Sequence, residues 1–213
     1  MEKTNIYPIK NVKFLSFYLL LTLGTAIFNS YGQSSTSDPG VVINGIKWAT
    51  RNVAALGTFA DKPEDAGMFY QWNRKTAWAA TSDATGWDST IPDGDTWAKS
   101  NDPSPTGWRL PTYKELCKLI DTDKVTSEWV VSLNGVSGMK FTDAVTGNTL
   151  FLPVAGYRDG DDGALDYVGF IGFYWSCTQG GSGGAYGLQF GSGYVYCDGN
   201  FRYYGFCIRS VAE

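Results

Sequence analysis

The chain has 213 residues, a formal net charge of −4 and no histidine. The missing imidazole removes the usual general base near neutral pH, the usual partner of a serine or cysteine nucleophile and the commonest zinc ligand, so an enzyme is disfavoured and none is expected here. With 17 basic residues against 21 acidic ones and no basic cluster, the chain lacks the positive surface that follows a phosphate backbone, and no nucleic acid is expected as a partner.

Lys3, Lys10 and Lys13 precede an apolar run from Phe14 to Phe28, and small residues at Ser30 and Gly32 precede Gln33. This is the tripartite layout of a secretory signal peptide, here residues 1–32. The run of about fifteen residues is shorter than the roughly 20 that a membrane-spanning helix needs. No cysteine follows it to carry a lipid, and no later segment is long and apolar enough to span. The expectation is export to the periplasm, cell surface or medium, with no membrane insertion after signal cleavage. Cleavage removes three basic residues and Glu2, which leaves a net charge near −6 on a chain suited to one domain.

Residues 33–40 carry no apolar side chain and read as a flexible leader, with the domain over 41–213. Val41–Ile43 and Ile46–Trp48 flank Asn44-Gly45, the dipeptide most favoured in a two-residue hairpin. Met68, Tyr70 and Trp72 alternate with Phe69 and Gln71, as in a strand with one bulky face. From Thr81 to Thr106 the composition is that of a long loop, in which Trp87 and Trp97 either pin the loop to the body or offer a sugar-stacking platform. Thr112-Tyr113-Lys114-Glu115 is a capping box that opens a helix over 113–121, with Leu116, Leu119 and Ile120 on its apolar face. Strands follow: a hairpin of 139–144 with 149–157, then 171–177, 185–191, 194–197 and 203–211 as an antiparallel meander.

Several of these segments occur in an order that is itself informative: Gly45-Ile46-Lys47-Trp48-Ala49, Phe69-Tyr70-Gln71-Trp72, Asn101 through Thr112 with its Gly-Trp-Arg-Leu-Pro-Thr block, Leu152 through Arg158, Tyr174-Trp175-Ser176 and Ile208-Arg209-Ser210-Val211. From about Val41 to Val211 the chain resembles the Fibrobacter succinogenes major paralogous domain family. The resemblance implies an α+β fold, C-type lectin-like and related to formylglycine-generating enzymes, with short helices packed on twisted antiparallel sheets. It implies no settled activity. Where the family carries a cysteine in each of two segments, this chain has Ser104 and Ser210, and by analogy with lectin-like domains the two serines are expected to lie close in space.

The four cysteines are Cys117, Cys177, Cys197 and Cys207. An even number in an exported chain suits disulfides, and Cys177 with Cys197 is the favoured pair, provided that no strand holds them about 10 Å apart. Cys117 is read either as a small buried hydrophobe or as a partner of Cys207. No cofactor is expected, with one candidate ion: Asp159, Asp161, Asp162 and Asp166 put four carboxylates in one loop, so calcium is weighed against a solvated acidic turn. The ligand-binding candidates are Trp87, Trp97, Tyr157, Asp159, Asp161, Asp162, Tyr167 and Trp175, because the many aromatics of this region do not all fit on one buried sheet face. The function expected is a non-catalytic binding module for an extracellular glycan or protein. The alternatives are a structural part of a cell-surface assembly and an oxidase like the formylglycine-generating enzymes.

Overall fold

The structure, a computed structural model, describes residues 36–213. The expected signal peptide and residues 33–35 lie outside the described residues. The rest of the expected leader does not run free. Asp38 accepts hydrogen bonds from the backbone N–H of Gly40 (2.8 Å) and Thr50 (2.9 Å), from the Thr50 hydroxyl (2.9 Å) and from Arg51 Nε (2.9 Å). Counting apolar side chains misses this anchor, because a single carboxylate satisfies all four donors.

The hairpin of β1 (Val41–Ile43) and β2 (Ile46–Trp48) forms as the sequence predicts. Asn44 at φ 47° and Gly45 at φ 74° supply the two left-handed residues of a type I′ turn. Next come two short strands, β3 (Tyr70–Gln71) and β4 (Trp108–Arg109). Around β3 the neighbours Phe69, Tyr70, Gln71 and Trp72 are all buried, so the alternation there does not separate an inner from an outer face. The helix α1 (Tyr113–Cys117) begins on the predicted capping box, with Thr112 and Glu115 bonded reciprocally, and continues as a 3-10 turn over Lys118–Ile120.

A first meander contains β5 (Val125–Leu133), β6 (Val136–Asp143) and β7 (Thr149–Pro153). A small hairpin of β8 (Tyr157–Arg158) and β9 (Leu165–Asp166) holds the acidic loop. The second meander is β10 (Gly172–Gln179), β11 (Gly184–Gly191) and β12 (Tyr194–Phe201). The strand expected over 203–211 is instead two pieces in two sheets, β13 (Gly205–Phe206) and β14 (Val211–Ala212). Between them the backbone crosses the interior, where Cys207 N–H donates to the Phe173 carbonyl, and the Ile208 and Ser210 carbonyls accept from Val53 and Ala49 N–H.

The strand orders are β1-β2-β14-β4, β3-β13-β8-β9, β5-β6-β7 and β10-β11-β12. This corrects the expected fold class. Among the described residues the structure is mostly β, 40% strand and 6% helix in four small antiparallel sheets, and not an α+β, C-type lectin-like arrangement. The physical reason lies in the region where a second helix would be sought. Gly57, Gly67, Gly86 and Gly94 there all take positive φ, and a right-handed helix has no place for such residues.

The second meander is covered on both faces. Tyr174, Leu188 and Phe190 face one core cluster with Phe141, Leu150, Leu152 and Leu116, while Phe173, Trp175 and Ala185 face another with Tyr70, Trp72, Trp97, Phe206 and Ile208. Loops are tied to this body by three buried arginines. Arg158 donates to the carbonyls of Ala79, Ser82 and Gly163. Arg202 donates to the carbonyls of Gly184 (2.9 Å), Pro92 (3.2 Å) and Gly94 (2.7 Å) and lies over the Trp72 ring at 4.2 Å. Arg209 donates to Asn52 Oδ1 (2.9 Å) and the Ala49 carbonyl (3.3 Å). Among the described residues no helix is long and apolar enough to cross a membrane.

Candidate ligand-binding cleft

Where the β8-β9 hairpin meets the second meander, the chain leaves a cleft of about 300 Å³ lined by Tyr157, Tyr167, Ile171, Phe173, Gln189, Asn200, Tyr204 and Phe206. Its floor follows from strand register. Phe173 on β10 pairs with Gln189 on β11, which pairs with Tyr196 on β12, so this row points to one face of the meander, and Asn200 lies two pairs further along the same face. Tyr157 is the hub of the wall. Its ring packs edge-on against Phe173 (5.0 Å between centroids) and Tyr204 (5.4 Å) and stacks with Tyr167 at 6.0 Å and 17°.

Tyr167 follows β9 at φ 53°, in the left-handed region that a bulky side chain rarely adopts. Main-chain contacts surround it. Its carbonyl accepts from Phe170 N–H (3.0 Å) and Ile171 N–H (3.2 Å), and behind it a Cβ on Gly156 would meet the Asp166 carbonyl at 2.1 Å. The result is an aromatic side chain 56% exposed, with one face on Tyr157 and the other in solvent. Beyond it a shallower depression shares Tyr167 and Ile171 and adds Asp166, Phe170 and Tyr194. Phe170 is 72% exposed, and Tyr194 stacks with Tyr196 at 5.5 Å.

Burial, then the charge of Asp166, pushes the Tyr157 phenol up to about 12, and burial also raises Tyr204. Both remain neutral hydroxyl donors at physiological pH. Among the described residues the Gln189 carboxamide has no hydrogen-bond partner, and Asn200 makes only a long contact of 3.4 Å from Nδ2 to the Asp198 carbonyl. The cleft thus joins aromatic faces to neutral donors and acceptors, with carboxylates at its margin. Such a surface binds by stacking and hydrogen bonding, and it repels an anionic ligand.

Of the residues singled out from the sequence, the structure brings Tyr157 and Tyr167 together and places Asp159 and Asp166 beside them. Trp175 is not available to a ligand: it is 0% exposed, stacks on Phe206 at 4.1 Å and donates Nε1 to the Tyr70 carbonyl at 2.8 Å. Trp97 is likewise in the core, edge-on to Trp72 at 5.9 Å. Trp87 pins its loop, as one of its two readings held, donating Nε1 to the Gly160 carbonyl at 2.9 Å and packing on Trp78 at 5.1 Å. Asp161 and Asp162 are exposed and do not line the cleft, although the charge of Asp161, like those of Asp159 and Asp166, helps to raise the Tyr204 phenol. The four aspartates are not gathered into one set of ligands. Asp159 and Asp162 turn one carboxylate oxygen each to their own loop, accepting from Asp161 N–H and Ala164 N–H (both 2.8 Å), and among the described residues no three acidic, cysteine or histidine side chains converge as metal ligands.

Gln189, Asn200, Ile171, Phe173, Tyr204 and Phe206 are the cleft residues that were not among the candidates named from the sequence. A polar Gln between Leu188 and Phe190 in an otherwise apolar strand is the signal that points to one of them.

The favoured Cys177–Cys197 pairing is overturned. β11 lies between their strands, and Cys197 is in register with Leu188 and Tyr174 rather than with Cys177. Two strand spacings are about 10 Å, beyond the roughly 7 Å over which a disulfide reaches. All four cysteines are free thiols, and Cys207 is buried with Sγ on the Ala66 carbonyl at 3.5 Å. The expectation for Ser104 and Ser210 holds, with their hydroxyl oxygens 2.7 Å apart.

Residues 120–211 match the family model described as Domain of unknown function (DUF8237). That is less than half of the chain, yet it takes in every residue lining the cleft. No curated protein and no solved structure matches the chain.

Proposed function

We propose that the chain is an exported, non-catalytic binding module that recognises a neutral glycan outside the cytoplasm through the Tyr157–Tyr167 cleft. The observation that carries this reading is Tyr167 itself, an aromatic side chain held at an unfavourable φ with one face stacked and the other open to solvent. Strain of this kind is kept where it presents a side chain to a ligand. Sugar rings offer apolar C–H faces for such aromatics and hydroxyls for the two carboxamides and two phenols. The acidic margin selects against anionic polysaccharides. The resemblance to the Fibrobacter succinogenes major paralogous domain family belongs to the same reading, and the Ser104–Ser210 contact supports it.

A second reading, a structural part of a surface assembly, is favoured by Phe170 and Val168, whose exposed side chains adjoin the cleft and suit a protein surface. One experiment separates the two. A glycan array probed with the wild type and with Tyr167→Ala gives, on the glycan reading, a neutral-sugar hit weakened about tenfold by the substitution, the equivalent of one aromatic stacking contact. The melting temperature stays unchanged, since Tyr167 is exposed. Silence across neutral glycans, or a hit indifferent to Tyr167, overturns that reading and leaves the assembly.

A further inference from the structure

Cys117 and Cys197 are brought face to face by two elements that are separately fixed. The N-terminus of α1 is pinned to the second meander: Tyr113 N–H donates to Thr178 Oγ1 at 3.0 Å, and the Tyr113 ring lies on Tyr186 with centroids 4.3 Å apart. Cys117 follows Tyr113 by one helical turn, so its side chain leaves the same face of α1. On β12, pairing with Leu188 turns Cys197 to the face that carries Leu188 and Tyr174, and α1 covers that face. There the two side chains are neighbours, close enough to influence one another. Both cysteines are half-buried, so a small reagent reaches them, whereas Cys207 is enclosed and Cys177 stands on the far side of β11.

We propose that Cys117 and Cys197 form a disulfide by exchange with a disulfide-bearing oxidant, and that the bond fastens α1 to the edge strand β12. One thiol loses its proton and attacks a sulfur of the oxidant, displacing half of it as a thiolate that takes up the proton. The second thiol then loses its proton and attacks the protein sulfur of the mixed disulfide, releasing the other half, again protonated. One S–S bond and two S–H bonds break, one S–S bond and two S–H bonds form, and two electrons pass from the cysteine pair to the oxidant. The pairing is independent of what the cleft binds. It closes a loop of about 80 residues, long enough to restrict the unfolded chain substantially.

The purified protein is incubated with oxidised glutathione, its remaining thiols are alkylated in denaturant, and the digest is mapped by mass spectrometry. No Lys or Arg separates Cys177 from Cys197, so chymotrypsin rather than trypsin resolves them. The expected map joins Cys117 to Cys197 and recovers Cys177 and Cys207 alkylated. The melting temperature rises by roughly 8 to 15 °C and returns on reduction with dithiothreitol. Cys117→Ser and Cys197→Ser each abolish the rise, and Cys177→Ser keeps it. Recovery of both Cys117 and Cys197 as alkylated peptides after oxidation, or a bond from Cys197 to Cys177, overturns the proposal. That map is made on the wild type, so it decides even where a variant folds poorly.

Discussion

Glu115 is a residue through which acid should weaken this protein, and Glu115→Gln isolates its charge. The carboxylate accepts from Thr112 N–H (2.8 Å) and the Thr112 hydroxyl (3.0 Å), and it pairs with both terminal nitrogens of Arg109 at 2.9 and 2.7 Å. Burial pushes its carboxyl up, but the Arg109 hydrogen bonds, the two from Thr112 and the Arg109 charge outweigh burial and hold it at about 2, against an ordinary 4.5. Each tenfold change in proton affinity is about 1.4 kcal/mol, so the gap sets a ceiling of about 3.4 kcal/mol. Arg109 is 37% exposed and Glu115 16%, and solvent screening at such a site reduces the contribution to about 2 kcal/mol. The folded-state value is depressed, so the stabilisation is complete above pH 4.5 and is lost as pH falls towards 2. Glutamine keeps the shape and an oxygen for Thr112, yet removes the charge. Circular-dichroism melts at pH 7 should place the variant roughly 4 to 8 °C below wild type. The gap should shrink to about half by pH 3. A gap of the same size at pH 3 and pH 7 would refute the assignment of this stability to an ionised Glu115.

Trp175→Ala should cost about 3 to 5 kcal/mol by emptying the site beside Phe206 and leaving the Tyr70 carbonyl without its donor. A melt that is unchanged while glycan binding disappears would return Trp175 to the ligand surface. The double variant Ser104→Cys, Ser210→Cys should oxidise in air to a bonded pair, because the native hydroxyl oxygens are already 2.7 Å apart; thiol titration in denaturant should then find no more free thiols than in wild type, and two extra would contradict the geometry.

What the sequence disclosed was local. The Asn44-Gly45 turn and the Thr112–Glu115 capping box are each fixed by a few adjacent residues, and both formed where they were read. Asn134-Gly135 carries the same turn signal, with φ of 51° and 92°, and β5 before it still escaped notice. Glu128 and the adjacent Val130-Val131 break the alternation there, and most of that strand faces solvent. Choosing the aromatics that reach the surface needed tertiary knowledge. Tyr174 and Trp175 point to opposite faces of β10, and both are buried because a core lies on each side. Cys177 and Cys197 fail as a pair for a related reason, since strand order rather than spacing in the chain sets their separation. The resemblance located the Ser104–Ser210 contact correctly but misled on fold class, because the loops do not supply the helices it implied.

The guanidinium groups of Arg158, Arg202 and Arg209 grip main-chain oxygens, which neither lose nor gain a proton over the range a cell or its surroundings impose. Anchorage of the long connections is therefore insulated from acidification, and burial shields it from added electrolyte as well. A body whose irregular segments stay put in this way keeps its shallow aromatic cleft in shape across a wide range of pH and ionic strength.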